Sequence, residues 1–82
     1  MFQELRQVVD EYLTGQRKLR DLESWIVANL QRVLDSQNDQ AIEMVYQIDA
    51  DLIELGEGLN DQLSFDERLE SYLRATQSLT GG

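Results

Sequence analysis

The chain has 82 residues, 16 acids against 7 bases, a net charge of −9, and no histidine, cysteine or proline. The missing cysteine removes disulfides and thiolate chemistry, and the missing histidine removes the commonest general base and metal ligand. Residues 33–67 hold ten acids and no base, so nucleic acid and anionic membrane surfaces are disfavoured as partners by repulsion, and a basic protein is favoured.

Four amphipathic segments follow from a 3.6-residue apolar period. The first, about 2–14, aligns Phe2, Leu5, Val9, Tyr12 and Leu13, with Val8 at the edge. Gly15 follows it and suits the left-handed position that ends helices. The second, about 19–35, aligns Leu19, Leu22, Ile26, Leu30 and Val33, flanked by Val27 and Leu34. Its start is poorly capped, because Arg17 or Lys18 stands where Ser, Thr or Asp is preferred. The third, about 39–55, follows Asn38 or Ser36 as N-cap and stops at Gly56. Its apolar arc is the widest, spanning roughly 200° on a helical wheel from Met44 through Ile48, Leu52 and Val45 to Ile42, Ile53 and Tyr46. A helix apolar over that width touches neighbours on two sides, so this one is expected to be central. The fourth, about 65–77, opens on a predicted capping box, Ser64 with Glu67. Its stripe of Phe65, Leu69, Tyr72 and Leu73 is narrow, which predicts a peripheral helix. Residues 79–82 read as a disordered tail. Short links between four helices predict an all-α, antiparallel four-helix bundle, a single domain over 1–82.

Metal and catalytic constellations fail on spacing. Counted from Asp49, the fifth and sixth positions of a calcium loop fall on Ile53 and Glu54; counted from Asp35, the sixth and twelfth fall on Gln40 and Tyr46. Carboxylate-bridged metal pairs want Glu-x-x-His, and phosphate-cradling glycine motifs are missing. The expectation is a protein without metal, cofactor or enzymatic activity. The charged N-terminal stretch MFQELRQVVDEYL is unlike a signal peptide, and no apolar run nears the ~20 residues that span a bilayer. A cytoplasmic protein with no membrane partner is expected.

Two acids fall inside apolar arcs: Glu23 between Leu30 and Leu34, and Asp49 between Val45 and Ile42. Each is expected to be interior and to find a partner, with Arg6 within reach of one of them. That partner is either an ion pair or tyrosine hydrogen bond that fixes helix register, or part of a functional site. Trp25 lies outside the stripe of its helix and reads either as a bundle-corner residue or as a binding hot spot. Outward acids remain on and after the third helix: Glu43, Asp51, Glu54, Glu57 and Asp61. Ordinary helix surfaces intersperse both signs for i,i+4 pairing, which this one forgoes. The acids are either a solvated face or one continuous surface that steers a basic partner.

The stretches YLTGQRKLRDLESWI and IELGEG…SFDERLESYL, within residues 8–73, resemble small bacterial helical proteins of the colicin D immunity type and related uncharacterised bacterial proteins. Lys18 departs from that pattern, where a Ser or Thr cap is expected. The resemblance implies an all-α bundle that fills the active site of a basic ribonuclease toxin with acids, Asp51, Glu54, Glu57 and Asp61 standing in for RNA phosphates. Three readings follow. The first is a non-enzymatic acidic protein that engages a basic partner through Glu43, Asp51, Glu54, Glu57, Asp61 and Trp25, as an immunity-type toxin inhibitor does. The second is a homodimeric structural module whose acidity serves solubility alone. The third is a nucleic-acid mimic, such as a phage-encoded nuclease inhibitor.

Overall fold

A computed structural model describes residues 2–80, with side chains through Thr76. It has four helices: α1 Phe2–Leu13, α2 Leu19–Asp35, α3 Asp39–Gly56 and α4 Gln62–Thr80. The links are as short as the sequence predicts, and the helices alternate in direction. Tyr12 at the end of α1 bonds Asp66 and Gln62 at the start of α4, while Arg6 reaches Leu73 and Thr76 further along it. On α3, Asp51 and Glu54 meet Arg68 of α4. The fold is a small antiparallel four-helix bundle, as expected. α1 and α3 touch across the diagonal, and α2 and α4 make no contact among the described residues.

The core is built from the predicted stripes. Leu5, Val9, Leu22, Ile26, Val33, Val45, Ile48, Phe65 and Leu69 are fully buried. Phe65 meets Tyr12 edge-on, with ring centroids 5.9 Å apart, a favoured aromatic geometry. α3 packs on all three other helices, and so does α1. The peripheral role expected for α4 needs revision, because Phe65 and Leu69 place it in the core. The outer part of the α3 arc also departs from expectation: Tyr46 and Ile53 are more than half exposed. Four helices close the core over a narrower sector than the apolar arc of α3 occupies.

The helix ends follow local chemistry. Gly15 has φ +87°. Its N–H donates to the Tyr12 carbonyl and that of Gln16 to the Glu11 carbonyl, the paired bonds of a Schellman stop. At the end of α3 the same pairing centres on Gly58 (φ +76°) and not on Gly56, which is helical. Asn38 caps α3 by accepting from the Ala41 N–H at 3.1 Å, as predicted. Lys18 offers α2 no side-chain acceptor; instead its own N–H donates to Asp21 Oδ2 at 3.3 Å. The start of α4 corrects the sequence reading. Asp61, not Ser64, is the cap, its Oδ1 accepting from the Ser64 N–H at 2.8 Å. A charged acceptor three residues ahead wins over a serine whose N–H it can satisfy, so the helix begins at Gln62. At the other end α4 runs through Thr80, past the predicted start of the tail; Gly81 and Gly82 lie outside the described residues.

Candidate protein-binding surface

α3 carries most of the acids singled out from sequence, and the structure divides them by height and by flank. Asp51 is the largest correction. It is 5% exposed, because it lies beside Met44 on the flank of α3 turned to α4. Its Oδ2 accepts from Tyr72 Oη at 2.6 Å and its Oδ1 from Arg68 Nη1 at 2.8 Å. Arg68 and Tyr72 are four residues apart on α4, so one helical face presents both donors. Burial and the bond to Asp51 push the Tyr72 phenol well above its ordinary value. The bonds to Asp51 and Glu54 raise the Arg68 guanidinium likewise. Glu54 Oε2 accepts from the same nitrogen at 3.2 Å. Asp51 is therefore withdrawn from any partner, and Glu54, partly exposed, shares the Arg68 cation with it.

A second network ties α1 to α4. Tyr12 Oη donates to Asp66 Oδ1 at 2.6 Å and accepts from Gln62 Nε2 at 3.2 Å. Burial first, and then the Asp66 bond, push the Tyr12 phenol up to about 12. Arg6 goes to α4 and not to Glu23 or Asp49. Its Nε donates to Thr76 Oγ1 at 3.0 Å.

Of the two predicted interior acids, Glu23 is not interior, and Asp49 is partly buried but lacks the expected partner among the described residues. Glu23 is exposed, because its flank of α2 extends beyond the closed core. Asp49 is half-buried, and nothing among the described residues donates to its carboxylate. Interior partnering falls to Asp51 instead, two residues on and on the opposite flank of α3. Trp25 is partly buried and packs against the core, in keeping with the bundle-corner reading.

Glu43, Glu57 and Asp61 are exposed. The bonds to Ser64 hold the Asp61 carboxyl below its ordinary value, and capping is already one use of it. Glu43 and Glu57 are fourteen residues apart, about 21 Å along a helix at 1.5 Å per residue. Tyr46, Ala50 and Ile53 lie exposed between them. The continuous negative surface expected from sequence is thus an acid–apolar–acid ridge.

Arg68 is the residue that sequence reading missed. It is the first base after the base-free window, and its i,i+4 relation to Tyr72 is the legible signal. Among the described residues no group of three or more acids is placed to hold a metal ion, and no helix is long and apolar enough to cross a membrane. No protein-family model matches the chain, and comparison with curated proteins and with solved structures returns no match.

Proposed function

We propose that this bundle is a non-enzymatic binding protein whose α3 ridge engages a basic protein partner. One observation carries the reading: α3 and the link after it, residues 39–61, display acids and no base, and among the described residues the one cation paired with α3, Arg68, is already held by Asp51 and Glu54. Glu43 and Glu57 are left exposed with no cation bonded to them among the described residues. Single-sign surfaces of this kind raise association rates with oppositely charged partners. The interrupted acids give less support to a nucleic-acid mimic, which needs an unbroken track of charge. The resemblance of residues 8–73 to immunity-type bundles makes a basic ribonuclease toxin of the colicin D type the first partner to assay, with a bacterial cytoplasm as the setting.

The test is a pull-down with the full chain at low and high salt, followed by association kinetics with the protein recovered. Glu43→Lys with Glu57→Lys is expected to slow association and flatten its salt dependence. Unaltered kinetics and salt slope in the double variant would refute the reading. Glu54 is left unaltered in this design, because reversing it would also disturb Arg68.

A further inference from the structure

Tyr46, Asp49, Ala50 and Ile53 occupy positions i, i+3, i+4 and i+7 on α3. Four residues in that relation enclose one hole on a helix surface, the socket that takes a side-chain knob from a second helix. Tyr46 is 55% exposed and Ile53 54%. Ala50 is exposed and small, which leaves the middle of the socket open. Asp49 forms its fourth wall, half-buried and with no donor among the described residues. An aromatic ring, an isoleucine and a carboxylate without a donor among the described residues thus surround one open socket, and contiguous exposed apolar surface rimmed by polar groups is the kind of surface that marks interaction sites.

We propose that this socket is the docking site for an amphipathic helix of the basic partner, and that the knob entering it is an arginine or lysine. The inference rests on the basic-partner reading above and specifies where and how that partner binds. A long cationic side chain fits all four walls. Its methylenes lie along Tyr46 and Ile53, its charge reaches the Asp49 carboxylate, and the Tyr46 ring face offers a cation–π contact. Glu43 and Glu57 flank the socket along the helix, so a docked helix meets acid at both ends. A second copy of this chain is a poor occupant. Two-fold pairing would lay α3 on α3, with acid against acid and no base on either ridge.

The experiment pans a displayed library of helical peptides about five turns long against the full chain. Each binder is then measured against Ala50→Leu, Asp49→Asn and Glu43→Lys/Glu57→Lys variants. Ala50→Leu fills the socket at an exposed helical position, so circular dichroism should stay native. The expected result is binders carrying Arg or Lys amid apolar residues at i, i+3 or i+4 spacing. They should be weakened about tenfold or more by Ala50→Leu, the scale of a blocked interface centre, and clearly by Asp49→Asn. Binders weakened by the Glu43/Glu57 reversal but not by Ala50→Leu would overturn the socket and keep the basic-partner reading. Failure to select basic binders would overturn both. A dimer of the free chain, dissociated by Ile53→Ser in analytical ultracentrifugation, would overturn the proposal in favour of self-association.

Discussion

Replacing Asp51 by alanine isolates the bond network between α3 and α4. The change removes the acceptor of Tyr72 Oη at 2.6 Å and of Arg68 Nη1 at 2.8 Å. A hydrogen bond to a charged group contributes about 1.5–3 kcal/mol, and the phenol left behind is partly buried, so water replaces the acceptor only in part. The Arg68 side chain is 46% exposed and keeps Glu54, so its share is the small one of a solvent-screened surface pair. Alanine returns about 0.5 kcal/mol of helix propensity. The net expectation is a loss of about 1.5–3 kcal/mol, and each kcal/mol lowers Tm by about 4–8 °C in a domain this size. Asp49→Ala on the same helix is the control. It gains the same propensity and loses no bond among the described residues, so it should stay within about 0.5 kcal/mol of the parent. Urea melts of both variants, with Tyr72→Phe and Asp51→Ala/Tyr72→Phe to close a double-mutant cycle, measure the Asp51–Tyr72 coupling directly. Equal losses at positions 49 and 51, or a coupling near zero, would refute the assignment of Asp51 as the interhelical lock.

Three further outcomes follow from packing, capping and titration. Ile48→Ala should cost about 2–5 kcal/mol in chemical denaturation, the range for a fully buried aliphatic side chain, and Leu52→Ala clearly less, since Leu52 is only partly buried. Gly56→Ala should raise stability by about 0.5–1 kcal/mol, because Gly56 is helical with open space around it. Gly58→Ala should lower stability by about 1–2 kcal/mol at its φ of +76°; the opposite order in thermal melts would misplace the end of α3. Both Tyr12 and Tyr72 have phenols raised by burial and carboxylate bonds, so the folded state holds their protons more tightly than the unfolded chain does. Their contribution to stability is whole below about pH 10, the ordinary tyrosine value, and drains as pH rises through the folded values. Denaturation midpoints followed above pH 10 should therefore fall less steeply in Tyr12→Phe and Tyr72→Phe variants than in the parent.

The helices were legible because their signals are local. Apolar spacing along α1, α2 and α3, Gly15 after the first helix and Asn38 before the third act within a few residues, and each marks a helix or a helix end that the structure contains. The start of α4 was misread for the same reason. Ser64 and Glu67 satisfy a capping pattern by spacing, but Asp61 offers the Ser64 N–H a charged acceptor at 2.8 Å, and two overlapping caps cannot both act. A wheel shows which residues share a face. It does not show how wide a sector the neighbouring helices cover. For that reason Asp49 and Glu23, framed by apolar residues on their wheels, lie at or beyond the edge of the closed core, and Tyr46 and Ile53 remain in water.

The charge pattern was misread for a different reason, and the difference bears on function. A base-free window in the sequence is not a base-free surface, because antiparallel packing returns α4 along α3 and brings Arg68 to Asp51 and Glu54. Asp51 is held inside by two donors, which removes from the ridge the acid that would have joined Glu43 to Glu57. Without it the ridge presents Tyr46, Ala50 and Ile53 at its centre, with the Asp49 carboxylate on one side of them and Glu43 and Glu57 at the ends. Apolar centres with charged margins are how interfaces combine affinity with selective approach: buried anchors supply the binding energy, and the rim sets the rate. The lock between α3 and α4 thus secures the bundle and keeps the Asp51 charge off the exposed face of α3, on the flank away from the socket. Conversion of Asp51 to alanine should therefore loosen the fold without creating or abolishing the socket at Ala50, whereas Ala50→Leu should close the socket and leave the melt unchanged.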